Sequence, residues 1–355
     1  MRVLALVTDA FGGHGGIAQY NRDLLTALSR SAAVTALPRF GTPASRLPDG
    51  LLQLPPVASK LVWSWQAVRQ AMRDRPDVIF CGHMNAAPLA AAIGRALARP
   101  VWLQIHGIEA WSPRLDLIRR AVEASSLVTS VSRYTRHRLL AWCAIKPDRV
   151  RVLPNTVSTA RPGQADREDL LARHALHGRK VILTVARLSA AERYKGHDRI
   201  MRCLPRLRQI VPEIVYLIVG SGDDRSRLEA LAREAGLAEI VRFAGMVPAD
   251  SLPDYYALAD VFAMPSTGEG FGIVFLEAAA HGLPVIGGNR DGSVDALADG
   301  AVGRAVDPDD SEALTRALAD ALLKPLPRST AVRRFAFDAF ARHVDDIAQR
   351  FAPRS

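Results

Sequence analysis

The sequence predicts an α/β protein with two Rossmann-like, doubly wound parallel-sheet domains, and three observations support this. Short apolar runs alternate with helical patterns along most of the chain, as expected of parallel strands buried on both faces. The runs are too numerous for one sheet, and Pro154–Gln164, rich in Pro, Gly, Ser and Thr, divides them into two sets. A chain of 355 residues that is 49% hydrophobic is long enough for two such cores. A (β/α)₈ barrel is the alternative.

The predicted elements place the domain boundary. The strands are Arg2–Val7, Asp77–Cys81, Val101–Ile105, Leu127–Val131 and Val150–Leu153, then Lys180–Val185, Val215–Val219, Ile240–Phe243, Val261–Met264 and Pro284–Ile286. The helices include Ile17–Ser29, Leu61–Arg73, Tyr134–Trp142, Asp198–Ile210, Arg225–Ala235 and Phe271–Ala280. We expect an N-terminal domain over residues 1–160 and a C-terminal domain over 161–330. A linker at Lys324–Thr330 leads to a last helix at about 332–351. This helix could return to pack on the first domain.

Composition and charge narrow the functional classes. The chain has 46 Lys and Arg against 36 Asp and Glu, a net charge of +10 that suits nucleic acid, an anionic membrane or phosphorylated small molecules. No nucleic-acid-binding motif occurs and the Arg residues are scattered, so we expect no nucleic-acid partner. Three widely spaced cysteines indicate a reducing cytosol. The N-terminus is typical of a buried strand, not of a signal peptide, and no apolar run reaches the length of a bilayer.

Two glycine-rich turns follow predicted strands. Glycines in the segment 12–16 (GGHGG) let backbone N–H groups approach an anion at the next helix, although a plain tight turn is the alternative. A dinucleotide site needs an acidic residue about twenty positions on, and the stretch TALPRFG has none. A second turn, Gly220–Gly222, is explained almost as well by a helix start capped by aspartate.

Cations and carboxylates follow strands of the second set. Arg187, Arg193 and Lys195 lie after the strand Lys180–Val185, where they could neutralise phosphates or form a solvated loop. Glu269 stands in a glycine-bracketed loop, and Glu277 lies inside the following helix. Carboxylates there can accept hydrogen bonds from sugar or ribose hydroxyls. A glycosidase pair, or glutamates favoured by the helix dipole, are the alternatives.

Seven segments resemble the motifs of one family and follow one another along the chain in the order of that family. PSTGEGFGIVFLEAAAHGLPV resembles the E-x₇-E region of retaining glycosyltransferases of the GT-B fold, family 4. VARLSAAERYKGHD resembles the family's Arg…Lys-Gly segment, GGHGGIAQYNRDL its glycine loop, LQIHGIEAW its active-site histidine segment and VLPNTV its interdomain connection. VGSGDDRSRLEALA and FAGMVPADSLPDYYALADVFAMPS resemble further landmarks. The resemblance runs from Met1 to about Asp307.

The resemblance implies a retaining, metal-independent hexosyltransferase that uses a UDP- or GDP-sugar and a glycan or lipid-linked acceptor. No cofactor is expected. By matching motifs, the catalytic residues would be His106 and Glu269, and the donor-binding residues Gly16, Arg187, Lys195, Phe271, Gly272 and Glu277. In these roles Arg187 and Lys195 hold the leaving diphosphate, Glu277 binds the ribose, and Glu269 binds the donor sugar. A sugar-nucleotide epimerase or an inverting GT-B transferase is the alternative function.

Two departures and one metal-like pattern leave points open. The gap between Arg187 and Lys195 is longer than usual, so Arg193 could share or replace a phosphate contact. Because His14 separates two pairs of glycines, the sequence leaves open which backbone amide of the glycine loop contacts the ligand. Asp307–Asp310 has the D-x-D spacing of metal-dependent transferases, but a helical pattern follows at once and favours a helix cap, so we expect no metal.

A basic amphipathic segment raises the question of a membrane. Lys60–Arg73 places four large apolar residues on one helical face and Arg69 and Arg73 off it; the four are Leu61, Trp65, Val68 and Met72. Such a helix can lie on an anionic leaflet, or it can pack this stripe against the first sheet. We therefore expect a cytoplasmic protein, with the option of peripheral contact at the inner face of the cytoplasmic membrane.

Overall fold

The computed structural model describes residues 1–43, 46–157, 167–324 and 329–352. The chain divides into two compact units. Unit 1 runs from Met1 to Thr156 and includes the C-terminal segment from Phe335, whereas unit 2 is Val157–Arg334. The expected boundary at residues 160 and 161 lies outside the described residues, as do positions 325–328 of the expected linker.

Unit 1 is built on a seven-stranded sheet in the order β3-β2-β1-β4-β5-β6-β7, with neighbouring strands parallel. Its strands are β1 (Arg2–Val7), β2 (Ala33–Pro38), β3 (Leu51–Gln53), β4 (Val78–Cys81), β5 (Val101–Ile105), β6 (Leu127–Ser130) and β7 (Val150–Val152). Its first five helices are α1 (Gly16–Ser29), α2 (Lys60–Asp74), α3 (Ala87–Leu97), α4 (Asp116–Ala124) and α5 (Arg133–Leu140).

Unit 2 is built on a six-stranded sheet in the order β10-β9-β8-β11-β12-β13, again parallel throughout. Its strands are β8 (Lys180–Val185), β9 (Ile214–Val219), β10 (Val241–Gly245), β11 (Val261–Met264), β12 (Val285–Gly288) and β13 (Arg304–Val306). Its helices are α6 (Arg167–Arg173), α7 (His197–Ile210), α8 (Arg225–Glu234), α9 (Leu252–Leu258), α10 (Ile273–Ala280), α11 (Ser293–Ala296) and α12 (Ser311–Leu323). The two doubly wound parallel sheets confirm the expected fold class.

The central strands form the two cores because they are apolar along their whole length. β4 and β9 are buried at every position, as two-sided coverage by helices requires. Each fully buried aliphatic side chain contributes about 1.5–3 kcal/mol relative to an exposed one.

The strand order places a candidate site at one edge of each sheet. The order reverses between β1 and β4 in unit 1 and between β8 and β11 in unit 2. In doubly wound sheets, ligands bind at the carboxyl ends of the strands beside this reversal. The loops that follow these four strands are therefore the expected positions of ligand-binding residues.

The last helix, α13 (Phe337–Ala348), belongs to unit 1, where it packs on α1. Arg30 Nη1 lies 3.4 Å from Asp338 Oδ1, and Ser31 Oγ donates to Asp345 Oδ1 at 2.9 Å. This helix is shorter than the expected span of about 332–351.

Helix α2 corrects one alternative drawn from the sequence. Its buried residues are Trp63, Ala67 and Ala71, and Trp63 Nε1 donates to the Leu37 carbonyl at 3.1 Å. The four-residue apolar stripe is exposed instead, so the idea that this stripe packs against the first sheet is wrong. The physical reason is that small Ala67 and Ala71 allow closer approach to the sheet on the opposite face. Among the described residues, no helix is long and apolar enough to cross a membrane.

Candidate active site

A chain of alternating charges lies at the carboxyl end of β8. Arg187 Nη2 donates to Glu192, and Lys195 Nζ lies 2.7 Å from Glu269 Oε1 and 3.6 Å from Glu192 Oε2. The side chains of Lys195 and Glu269 are each only 14% exposed. Burial acts to lower the pKa of Lys195, but the two carboxylates outweigh it and the pKa rises above its ordinary value. The structure thus brings the predicted Arg187, Lys195 and Glu269 together through Glu192.

Close packing of two loops joins Lys195 to Glu269. Gly196 has φ +87°, and a Cβ there would lie 2.4 Å from the Pro265 carbonyl oxygen. At Gly268 a Cβ would lie 2.5 Å from the Tyr194 ring. Glycine is therefore required at both positions for the cationic loop to reach the acidic one.

Asp291 holds the acidic loop in place. Its Oδ2 accepts hydrogen bonds from the Glu269 amide and from Ser266 Oγ, both at 2.8 Å, while Oδ1 accepts from the Ser293 amide at 2.9 Å. The Asp291 side chain is buried. Buried carboxylates need such donors, so these bonds fix the backbone of the loop that carries Glu269. Neither Asp291 nor Glu192 was predicted from the sequence.

The start of α10 differs from the prediction. The helix begins at Ile273, not Phe271, because Gly272 caps it in the left-handed region at φ +85°. A Cβ at Gly272 would lie 2.5 Å from the Phe275 ring. Phe271 is buried just ahead of the cap, so the amides here stand at a helix N-terminus, where donors face the incoming chain or a ligand.

Glu277 is anchored inside α10. Tyr256 Oη donates to Glu277 Oε2 at 2.7 Å, and the His281 ring stacks on Tyr256 with centroids 5.0 Å apart. Burial raises the pKa of Glu277, although the Tyr256 hydrogen bond acts in the opposite direction. One carboxylate oxygen is thereby fixed by the protein, which orients the other.

Arg193 is engaged away from this cluster. Its Nη2 lies 2.8 Å from Asp224 Oδ1, and Arg227 Nη2 lies 2.6 Å from Asp224 Oδ2. The second glycine turn packs beneath this pair, since Cβ atoms at Gly220 and Gly222 would lie 1.8 Å and 2.0 Å from carbonyl oxygens of the chain leaving β8. Arg193 and this turn therefore have structural partners of their own.

The glycine loop of unit 1 separates into two halves. Cβ atoms at Gly12 and Gly13 would lie 2.1 Å from the Thr42 carbonyl oxygen and 2.7 Å from Asp9 Cβ. At Gly15, with φ +90°, and at Gly16, a Cβ would meet no atom of the described residues within 4 Å. Packing explains the first pair of glycines. The second pair leaves the N-terminus of α1 open to a small group, and Gly16 is its first residue.

His106 lies at the same sheet edge in unit 1. Asp9, His83 and His106 follow the adjacent strands β1, β4 and β5, and the two imidazoles stack at 6.3 Å. His106 Nε2 lies 2.9 Å from the Gly82 carbonyl oxygen; because a carbonyl only accepts, Nε2 carries the proton. Burial lowers the pKa of His106 and His83 and raises that of Asp9. The His106 ring is therefore neutral near pH 7, with Nδ1 as an acceptor.

The D-x-D pattern is a helix cap with an ion pair. Asp310 Oδ1 accepts from the Ala313 amide at 2.8 Å at the start of α12. Asp307 and Asp309 each lie 2.6 Å from the Arg290 guanidinium. The cap interpretation is confirmed.

Comparison with known proteins decides the family. The family model for glycosyltransferase family 4 matches residues 14–161, and that for glycosyl transferases group 1 matches residues 166–336. A GDP-mannose-dependent monoacylated α-(1-6)-phosphatidylinositol monomannoside mannosyltransferase from Corynebacterium glutamicum is 32% identical over 297 residues, 79% of this chain and 74% of the relative. The chain belongs to glycosyltransferase family 4. The resemblance to family 4 seen in the sequence is confirmed.

One further relative and one solved structure are also similar to this chain. A GDP-mannose-dependent α-(1-6)-phosphatidylinositol monomannoside mannosyltransferase from Mycolicibacterium smegmatis is 38% identical over 257 residues. That match covers 68% of this chain and 66% of the relative, just under two thirds of its length. The GT-B fold is shared with Anabaena HepE, solved with UDP and glucose, at a TM-score of 0.77 and 19% identity over 99% of this chain and 100% of that one.

Proposed function

We propose that this family 4 glycosyltransferase moves a hexosyl group from a nucleotide diphosphate sugar, GDP-mannose first among the UDP- and GDP-sugars, to a lipid-linked acceptor with an inositol headgroup. The GDP-mannose dependence and phosphatidylinositol mannoside acceptors in the names of its relatives support this donor and acceptor. The observation that carries the proposal is the charge chain Arg187–Glu192–Lys195–Glu269, which brings two cations and the Glu269 carboxylate together in the loops that follow the adjacent strands β8 and β11.

The two cations suit a diphosphate leaving group. As the bond between the sugar C1 and the phosphate oxygen breaks, its electron pair leaves with the diphosphate, and fixed cations stabilise the charge that develops there. Arg187 is held by Glu192, and Lys195 is held by Glu269 and, at a longer distance, by Glu192. A diphosphate would therefore compete with Glu192 for both cations and with Glu269 for Lys195. In this scheme no divalent metal is needed to neutralise the leaving group.

The remaining residues bind and orient. Glu269, fixed by Asp291, accepts hydrogen bonds from hydroxyls of the donor sugar, and amides at Phe271 and Gly272 bind the same sugar. Glu277, fixed by Tyr256, accepts from the ribose. By the family resemblance, Gly16 in unit 1 would offer its amide to a diphosphate or an acceptor, and neutral His106 would contact a sugar.

The transfer step keeps the anomeric configuration. The acceptor hydroxyl attacks C1 on the face that the leaving group departs from, and its proton passes to the departing phosphate oxygen. The two products are the glycoside of the acceptor and a nucleoside diphosphate that has taken up the acceptor's proton. With a nucleotide-sugar donor and a lipid acceptor, the enzyme would work at the inner face of the cytoplasmic membrane.

A thermal-shift panel with EDTA present tests donor binding. GDP and GDP-mannose should stabilise the protein by about 2.7 kcal/mol at a concentration a hundred times their Kd. UDP-sugars that bind more weakly should stabilise it by less at that same concentration. The matched Glu192→Gln variant should keep or strengthen the shift, because it removes a carboxylate that competes with the diphosphate. No shift with any nucleotide, or a shift only after a divalent metal is added, would contradict the proposal.

The epimerase and inverting alternatives give different products. An epimerase would convert the nucleotide sugar without any acceptor, whereas a transferase releases the nucleoside diphosphate only as acceptor is consumed. NMR coupling constants of the product separate retention from inversion.

A further inference from the structure

Helix α2 has apolar side chains on two opposite faces, and only one of them is used inside unit 1. The buried face is formed by Trp63, Ala67 and Ala71. The other face is what we call the α2 stripe, four side chains that are between 45% and 84% exposed: Leu61, Trp65, Val68 and Met72. Spacings of four, three and four residues align them along about 16 Å of helix. Single exposed apolar residues are ordinary, but an aligned row of four marks a contact surface.

Positive charge flanks the α2 stripe. Lys60, Arg69, Arg73 and Arg75 are all exposed, and the Arg69 guanidinium lies 5.3 Å from the Trp65 ring centroid. The one carboxylate in the helix sequence, Asp74, is held on the other side, where its Oδ2 accepts from Gln70 Nε2 at 2.7 Å. The outward face is therefore apolar and cationic together.

An exposed aromatic residue lies beside the start of the helix. The Arg39 guanidinium lies 4.8 Å from the Phe40 ring and 5.9 Å from the Trp63 ring, and its Nη2 donates to the Ala58 carbonyl at 2.8 Å. These contacts hold Phe40, which is exposed, near the N-terminal turn of α2. The apolar surface thus continues past the helix.

We infer that the α2 stripe and its cations dock this protein on an anionic lipid bilayer, with α2 lying in the plane of the membrane surface. Apolar side chains enter the boundary between headgroups and acyl chains, while Lys and Arg meet anionic headgroups. Charge selects this occupant over a second copy of the chain, since a two-fold contact through α2 would set the same cations against one another. The inference goes beyond the proposed function and does not depend on it.

Tryptophan fluorescence gives a direct test. Of the five tryptophans only Trp65 is exposed, so a blue shift of the emission on contact with lipid reports on this side chain. The full chain is mixed with vesicles of phosphatidylcholine and phosphatidylglycerol that carry no glycosyl acceptor, and sedimented with them. We expect a blue shift and sedimentation. Trp65→Phe should still sediment but lose most of the shift.

Two sets of variants separate the apolar and the charged parts. The double variant Leu61→Ser/Met72→Ser should weaken vesicle binding by about tenfold or more. Arg69→Gln/Arg73→Gln should weaken it by about fivefold per charge removed and reduce its salt dependence. Leu323→Ser, at a site 55% exposed in unit 2, is the matched control and should bind as the parent does. Far-UV circular dichroism checks that each variant is folded.

Three results would overturn the inference. Absence of both sedimentation and a blue shift would remove the membrane as a partner. Equal binding to pure phosphatidylcholine vesicles would remove the role of the cations. A parent dimer that Leu61→Ser/Met72→Ser converts to monomer, measured by sedimentation equilibrium, would assign the surface to a second copy. Because the vesicles contain no acceptor, none of these outcomes depends on whether the proposed transfer reaction is right.

Discussion

Replacing Lys195 by Met should separate its contribution to stability from its contribution to transfer. The Nζ atom lies 2.7 Å from Glu269 Oε1 and 3.6 Å from Glu192 Oε2, in a site where Lys195 and Glu269 are each 14% exposed. Removing one partner of a buried ion pair costs about 3–5 kcal/mol. Because Arg187 still compensates Glu192, we expect a loss of about 2–3 kcal/mol of unfolding free energy. Loss of a cation facing the leaving diphosphate should lower kcat by about 10²–10³-fold.

The double variant Lys195→Met/Glu269→Gln makes the prediction sharper. It removes the uncompensated carboxylate, so most of the lost stability should return while transfer stays low. Urea unfolding followed by circular dichroism measures the first, and release of GDP from GDP-mannose in the presence of acceptor measures the second.

The lysine at the start of β8 provides the control. Lys180 Nζ lies 3.0 Å from Asp260 Oδ1, at the opposite end of the strand, with side chains 39% and 30% exposed. Lys180→Met should cost under about 1 kcal/mol and leave kcat unchanged. A Lys195→Met variant that keeps kcat within about threefold of the parent would contradict the role of Lys195 in transfer. So would a double variant that regains activity together with stability.

Three further predictions concern other parts of unit 2. Tyr256→Phe removes the donor to Glu277 Oε2 and should raise KM for the donor by about tenfold with little change in kcat, measured by initial rates. Burial lowers the pKa of His197 to about 4, below that of a histidine in the unfolded chain. Above about pH 6.5 the ring is neutral in both states and burial of this ring does not reduce the free energy of unfolding. As the pH falls below that value, the unfolded chain takes up a proton first and the free energy of unfolding decreases. Between pH 7 and pH 5 that loss should be about 2 kcal/mol by urea unfolding, absent in His197→Asn but kept in the exposed-site control His177→Asn. Arg193→Gln should leave kcat within about twofold and cost under about 1 kcal/mol, because its exposed guanidinium pairs away from the site; a loss of activity as large as for Lys195→Met would contradict this.

The fold could be predicted from the sequence where strands are buried on both faces. β1, β5, β8 and β11 begin and end where the apolar runs do. Three strands were missed: the interior strand β2, whose first three positions include an exposed and a half-buried residue, and the edge strands β3 and β13, which have three residues each and exposed positions that break the apolar run.

The site could be predicted only in part. Arg187, Lys195 and Glu269 follow strands, so their common sheet edge is readable from the element order. Glu192 and Asp291 gain their roles from loop packing, such as the approach of the 291–292 turn to the Gly270 carbonyl, which leaves no signal in residue spacing.

Helix α2 shows a different limit of sequence reasoning. Periodicity finds the stripe, but a helix that is apolar on two faces does not say which face meets the sheet. The small side chains of Ala67 and Ala71 decide it, because they let the helix approach closely while Trp63 fills the space beside them.

An NMR measurement of the transfer product tests most directly whether this protein transfers mannose with retention of configuration and without a divalent metal. GDP-mannose, an inositol phospholipid in vesicles and the full chain are incubated with EDTA, and the anomeric configuration of the product is read from its one-bond C1–H1 coupling. We expect an α-linked mannoside and one GDP released per mannose transferred. A β-linked product, or no transfer from any UDP- or GDP-sugar until a divalent metal is added, would contradict this expectation.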